Sequence, residues 1–314
     1  MNATVLIATY NRARILGGAI EAVLAQRTRP DFQWEFLIVD NNSDDNTRAI
    51  VERYVGLSPV PVRYLFEPRQ GKSYALNTGL GQARGSIVAF TDDDVFVPPD
   101  WLATAVSVLD RWAADGGGGR VLPRWETAPP PWLANNPRLW GHLALMEVET
   151  QQTLQYPLKG PGNIWGANMV FRRSVFDLVG LFNVDLGPSG GRPVNSEDLD
   201  IVERALRNGR KVVYDPELVV YHQVPAKRMK KNYLRRWAFV TGQGKAARGT
   251  SDPGKFPIFG RPFWMCLEAA TLLRAWLVAA VLRRPQALEL QLDFLNLAGR
   301  LWWYRAARRA QSRL

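Results

Sequence analysis

Short apolar runs alternate with helical patterns through the first third of this chain, and no other feature constrains its fold as strongly. Runs rich in β-branched and aromatic residues occupy 4–8, 36–40, 62–66 and 86–91, and helical patterns fill the gaps at about 11–28, 44–56 and 72–84. Strands separated by helices require right-handed crossovers, hence a mostly parallel sheet covered on both faces. Ligands on such sheets bind beyond the carboxyl ends of the strands. Three polar clusters sit there: Thr9-Tyr10-Asn11-Arg12, Asp40-Asn41-Asn42-Ser43 and Asp92-Asp93-Asp94. They are expected to converge on one sheet edge.

Regularity then weakens. The run GGGGRVLPRWETAPPPWLANNP at 116–137 predicts a loop-rich connection around one short strand. A strand at 164–171, a short helix from Ser174 and a glycine-rich loop at 186–193 follow. An amphipathic helix comes next, with Ser196 placed as its cap, acidic residues in its first turn, and an end near Asn208-Gly209. Two short strands are expected at 211–214 and 218–221, and beyond Pro225 the chain turns helical, basic and Trp-containing. No internal repeat is visible.

Composition sets outer limits. With 314 residues, 46% of them hydrophobic and 22% charged, the chain can bury a sizeable core and is neither collagen-like nor wholly disordered. Lone Cys266 excludes a disulfide framework or a cysteine zinc site and fits a reducing compartment. Met1 leads straight into an apolar strand with no basic n-region, so the expectation is a cytoplasmic protein. The net charge of +11 is unevenly shared: residues 1–203 hold 18 Lys and Arg against 23 Asp and Glu, residues 204–314 hold 22 against 6. The C-terminal third should therefore meet something anionic.

Three consecutive carboxylates after a buried strand repel one another and resist desolvation unless a positive charge compensates them. Oxygen ligation suits Mg²⁺ or Mn²⁺, which often bridge a protein carboxylate to a diphosphate. Taken with LIATYNR at 6–12, IVDNNSDD at 38–45, GKSYALNTG at 71–79, FTDDDVFVP at 90–98, GANMVFR at 166–172 and EDLDIVERALRNG at 197–209, this sequence resembles the inverting glycosyltransferases of family 2. The resemblance spans roughly residues 3–225 and is specific as a set, although each motif alone is weak.

That resemblance implies the GT-A fold, an α/β, Rossmann-like, mostly parallel sheet flanked by helices, with a basic helical C-terminal extension. It places the catalytic domain at 1–225, a nucleotide-sugar half at about 1–115 and an acceptor half at about 116–225, with the extension at 226–314. It implies a nucleotide-sugar donor, of the UDP-sugar type, and a glycan or lipid-linked acceptor. Thr9, Tyr10, Arg12 and Asn42 would line the nucleotide pocket, Asp40 would accept a hydrogen bond from the base, and Lys72 would contact the diphosphate or base. Asp92 would touch the ribose or diphosphate, Asp93 takes the variable middle position, and Asp94 would hold Mn²⁺ or Mg²⁺ with His222 as a metal or diphosphate contact. Three aspartates stand where the pattern needs two, so the ligand assignment is open by one residue. Asp198 matches the general base and Glu197 would orient the acceptor or stabilise the loop; one base and no nucleophile imply a single displacement that inverts the anomeric carbon. Asn77 and His142 read as structural, and Trp165 with Gly166-Ala167-Asn168 as shaping the acceptor side.

The tail allows other readings. Residues 227–248 carry Lys227, Arg228, Lys230, Lys231, Arg235, Arg236, Lys245 and Arg248 around Tyr233, Trp237 and Phe239. Residues 263–282 are long enough to span a bilayer, but Glu268 and Arg274 lie inside that stretch, which favours an amphipathic in-plane helix or one packed on the catalytic domain. A last helix at about 286–311 pairs Trp302-Trp303-Tyr304 with Arg300, Arg305, Arg308 and Arg309. The expectation is peripheral attachment to the inner face of the cytoplasmic membrane, with a homodimer as another use of these helices. A basic nucleic-acid binder is the competing class; acidic strand ends would repel its phosphates, so no nucleic acid partner is expected. A non-catalytic membrane scaffold would not need the full acidic set.

Overall fold

The computed structural model describes residues 1–158, 163–188, 196–247, 257–258 and 261–311. Strands and helices alternate first as β1 (Ala3–Thr9), α1 (Leu16–Leu24), β2 (Trp34–Asp40), α2 (Thr47–Glu52), β3 (Val62–Phe66), α3 (Lys72–Gln82) and β4 (Ile87–Asp92). Then come β5 (Val95–Phe96), α4 (Trp101–Arg111), β6 (Gly116–Trp125), α5 (Pro131–Ala134), β7 (Leu154–Gln155), β8 (Met169–Arg172) and α6 (Ser174–Val179). The chain closes with α7 (Glu197–Arg207), β9 (Val212–Val224), α8 (Lys231–Ala247), β10 (Pro257–Ile258), β11 (Arg261–Pro262), α9 (Phe263–Val281) and α10 (Ala287–Gln311). It divides into two compact units. The first holds the described parts of Met1–Glu126, Ala144–Gly190 and Glu197–Val224, and the second those of Thr127–Leu143, Gly191–Ser196 and Pro225–Leu314.

The first unit is built on one sheet in the order β3-β2-β1-β4-β8-β6-β9-β5, with β7 beside β9. β3, β2, β1, β4, β6 and β9 run one way, and β8, β5 and β7 run against them. Helices cover both faces, so β1 reads as a continuous apolar run; Val5, Leu6 and Ile7 are wholly buried. Leu6, Leu37, Leu76, Leu80, Phe90, Phe171 and Val202 share one core. Within it Phe90 meets Phe176 and Phe182 edge-on at 5.9 and 5.5 Å. Truncating such a ring costs about 3–5 kcal/mol. The register sets Thr9 beside Asp40 and Ala8 beside Asp92, which brings the polar ends of β1, β2 and β4 level at one edge.

Three departures from the sequence reading have physical causes. The stretch expected to be loop-rich begins with the ten-residue strand β6. Its glycines serve close approach: a Cβ on Gly116 would lie 2.1 Å from the Phe171 ring, and one on Gly119 2.0 Å from the Leu218 carbonyl oxygen. The two strands expected at 211–221 are one, β9, whose register against β6 shifts between Gly119 and Arg120. The bulge is filled by buried Asp215, which accepts hydrogen bonds from Thr153 at 2.6 Å, Arg111 at 3.2 Å and the Glu217 N–H at 2.9 Å. Residues 164–171 are strand only from Met169, because Gly166–Asn168 form a 3₁₀ turn. Asn168 locks that turn, donating to the Arg120 and Leu218 carbonyls at 2.9 and 2.8 Å and accepting the Trp101 indole N–H at 2.9 Å.

In the second unit α8 and α10 cross closely. A Cβ on Gly242 would lie 1.9 Å from the Asn296 carbonyl oxygen, and one on Gly299 2.0 Å from that of Phe239. Asn296 donates across the crossing to the Ala238 carbonyl at 3.1 Å. His142, expected to be structural, has its pKa pushed down to about 4 by burial and by nearby Lys245, so it stays neutral. α9 turns Phe263, Trp264, Leu267, Leu277, Val278 and Val281 to solvent, and Met265 and Ala279 are its buried residues. By length and composition α9 is apolar enough to cross a membrane, with a mean hydropathy of 1.5. Residues 189–195 of the glycine-rich loop, Arg248, and the side chains of Arg308 and Arg309 lie outside the described residues.

Candidate active site

The loops after β1 and β2 are stitched together. Asn11, in the left-handed region at φ 52°, receives the Asp44 N–H on its side-chain oxygen at 3.0 Å and donates its own N–H to Ser43 Oγ at 2.9 Å. The Asp45 carboxylate accepts the Ala13 N–H at 3.1 Å. Asp40 is buried at the end of β2, where Oδ1 accepts the Ser43 N–H at 3.0 Å and Oδ2 the Tyr64 hydroxyl at 2.8 Å. Burial and this bond raise the Tyr64 pKa, so the phenol stays a donor. Tyr10 is 45% exposed, and Asn42 stands exposed on its turn at φ 64°. Thr9 is buried at the strand end. Asn41 accepts the Gly71 N–H at 2.7 Å and donates to the Arg69 carbonyl at 2.7 Å, which fixes the entry to α3.

The acidic turn after β4 points in two directions. Asp93 and Asp94, both 7% exposed, face Arg12, whose guanidinium lies 3.6 and 3.7 Å from them. Burial and the Asp94 charge push the Asp93 pKa up to about 7 against the pull of Arg12. Asp94 also lies 3.2 Å from His222 Nε2, which β9 presents in register with Val95. Asp92 turns the other way and accepts a hydrogen bond from Lys72 Nζ at 2.7 Å. Asn77, expected to be structural, exchanges two 2.9 Å hydrogen bonds with the Phe182 backbone and so anchors α3.

Across a small pocket stand the first residues of α7. Lys72, Thr91, Asp92, Gly166, Glu197 and Asp198 line it together with Leu76, Phe90, Met169 and Phe182. Lys72 Nζ is 3.6 Å from Glu197 as well as bonded to Asp92. Burial works against its charge, but Asp92, Glu197 and Asp198 outweigh it and hold the ammonium protonated above its ordinary range. Asp198 accepts the Gly166 N–H at 3.0 Å and the Leu199 N–H at 2.8 Å. Burial, then the neighbouring Glu197 charge, push its pKa up to about 6, against the pull of the Gly166 N–H and Lys72. A carboxylate of that basicity suits proton abstraction near neutral pH.

The sequence reading named Asp40, Lys72, Asp92, Asp93, Asp94, Glu197, Asp198 and His222 separately. In the structure Lys72, Asp92, Glu197 and Asp198 share one pocket, and Arg12, Asp93, Asp94 and His222 form a second cluster at the same turn. It missed Tyr64, which carries no local signal; it named Asn41 only within a strand-end cluster and Gly166 only as shaping the acceptor side, without the hydrogen bonds they make.

The residues fit a divalent cation. Asp94 and His222 offer an oxygen and a nitrogen in one buried corner, and Asp93 adds carboxylate charge that Arg12 alone does not balance. Among the described residues no group of three or more His, Cys, Asp or Glu side chains is placed to hold a metal ion, so the protein offers only the Asp94–His222 pair. Such an open set is what a metal needs if diphosphate oxygens are to complete its coordination.

A family description, Glycosyl transferase family 2, matches residues 4–180. The chain therefore belongs to glycosyltransferase family 2, and it is a glycosyltransferase. Succinoglycan biosynthesis protein ExoM of Rhizobium meliloti is 25% identical over 276 residues, covering 85% of this chain and 83% of that protein. A glucosyl-dolichyl phosphate glucuronosyltransferase of Haloferax volcanii is 25% identical over 249 residues, covering 78% and 76%. Among solved structures, the mannosyltransferase PcManGT of Pyrobaculum calidifontis, in complex with GDP-Man and Mn²⁺, superposes with a TM-score of 0.64 at 23% identity over 96% of this chain and 87% of that one. At that identity the likeness establishes the GT-A fold.

Proposed function

We propose that this glycosyltransferase moves a sugar from a nucleotide diphosphate donor, of the UDP-sugar type, to a hydroxyl of a glycan or lipid-linked acceptor by one inverting displacement. The observation that carries the reading is the shared pocket of Lys72, Asp92, Glu197 and Asp198 beside the Asp94–His222 corner. Thr9, Tyr10, Arg12, Asp40 and Asn42 form the nucleotide side, with Asp40 acting through the turn it anchors or through its free lone pairs. Lys72 and Asp92 receive the diphosphate and ribose. Asp94 and His222 would hold Mn²⁺ or Mg²⁺, which neutralises charge growing on the departing diphosphate. Asp198 takes the proton of the attacking hydroxyl while the sugar–phosphate bond breaks, and Glu197 orients the acceptor. The Mn²⁺ and GDP-Man bound by PcManGT support a metal and a nucleotide-sugar donor. The second unit attaches the enzyme to the inner face of the cytoplasmic membrane. Screening UDP- and GDP-sugars for Mn²⁺-stimulated hydrolysis by the full chain tests the reading. Turnover of one donor that Asp198→Asn suppresses is expected; no binding or turnover across the panel would overturn it.

A further inference from the structure

The ammonium of Lys72 stands between the two halves of the reaction. It bonds Asp92, at the donor end of β4, at 2.7 Å and lies 3.6 Å from Glu197, at the head of α7. Gly166, whose N–H binds Asp198, is close to both: a Cβ there would be 3.7 Å from Lys72 Nζ and 3.8 Å from Asp198 Oδ2. The platform is tied down, since the Lys72 N–H donates to the Pro188 carbonyl at 3.0 Å and Ser73 Oγ to that of Leu186 at 2.6 Å. Three carboxylates, Asp92, Glu197 and Asp198, thus share one cation in a mostly buried pocket. A diphosphate brings further negative charge to the same cation, and an ammonium cannot serve every anion at full strength.

We infer that Lys72 is a positioning residue that couples donor binding to the strength of the acceptor base. When the donor's diphosphate engages the ammonium, Glu197 and Asp198 lose part of their counter-charge. Asp198 then holds a proton more tightly, which makes it a better base in the donor complex than in the free enzyme. Coupling of this kind is reciprocal, so protonation of Asp198 should also tighten the donor. The groups facing Asp198 are Glu197 from α7, Lys72 from α3 with Asp92 behind it on β4, and the Gly166 N–H. This inference rests on the reading of Asp198 as the base.

Proton uptake on donor binding tests it without any turnover. UDP-glucose and GDP-mannose, neither of which titrates near neutral pH, are titrated by calorimetry into Mn²⁺-saturated protein at pH 6.5, in buffers of different ionisation enthalpy. A rise of about one pKa unit from about 6 corresponds to uptake of roughly half a proton per donor bound. Wild type and Lys72→Arg should take it up, whereas Asp198→Asn and Lys72→Gln should not. Equal uptake by wild type and Asp198→Asn, or none by wild type, overturns the coupling while leaving the glycosyltransfer reading intact. Absence of binding by either donor type would instead count against that reading. Should Lys72→Gln bind too weakly to titrate, the wild-type and Asp198→Asn pair alone decides.

Discussion

The two units of this chain handle apolar surface and charge in opposite ways. The first buries its apolar strands on both faces and gathers carboxylates where β1, β2 and β4 end, each with a nearby cation or hydrogen-bond donor. The second leaves an apolar helix face in water and sets Arg274, Arg283 and Arg284 on or just beyond it, all exposed. A net charge of +11 describes neither. Under the proposed function the acidic set serves chemistry and the basic set serves attachment, so either should fail without disturbing the other.

The largest separation should come from Asp198→Asn, which keeps shape and removes the base. Donor turnover should fall by roughly 10²–10⁴, while calorimetric donor affinity is kept or tightened several-fold, as the reciprocal coupling requires, and vesicle binding stays near wild type. A large loss of donor affinity with turnover preserved would break the assignment. Asp94→Asn should lower Mn²⁺-stimulated hydrolysis to the rate that wild type shows in chelator. Unchanged metal dependence in that variant would remove Asp94 from the metal.

On the other unit, Leu277→Ser, Val278→Ser and Val281→Ser together should release the protein from anionic liposomes. Each apolar side chain buried in lipid is worth about 1.5–3 kcal/mol, so the combined loss exceeds about 10²-fold in sedimentation assays, with hydrolysis rates unchanged. Arg283→Gln with Arg284→Gln should cost less, about 1 kcal/mol per arginine, and that part should vanish in high salt. Equal binding of wild type to neutral and anionic vesicles would contradict the electrostatic share. The smallest effect is on pH: kcat/KM for donor hydrolysis should fall as pH drops through about 6, because Asp198, with its raised pKa, must lose its proton to act. Retention of that limb in Asp198→Asn would assign it elsewhere.

How much of this was legible in the sequence depended on how local the signal was. The strands β1 to β4 announce themselves as apolar runs, and each site carboxylate sits at a strand end or helix start that periodicity alone can locate. The glycines of β6 read as a loop because their purpose, room for Phe171 and the Leu218 carbonyl, lies in residues 50 to 100 positions away. Asp215, which turns two apparent strands into one, depends on Arg111 and Thr153 in the same way. The meeting of Lys72 with Asp92 and Glu197 needed the register of β4 and the seat of α7. Composition shows that α9 is apolar, but not that Met265 and Ala279 are the residues it covers.

The configuration of the first-formed sugar tests the central claim most directly. With water as the acceptor, proton NMR taken early in hydrolysis, before the free sugar equilibrates, reads which anomer leaves the enzyme. A single displacement driven by Asp198 predicts the anomer opposite to that of the donor. Release of the donor's own anomer would require a second displacement, and would contradict the one-base mechanism proposed for this pocket.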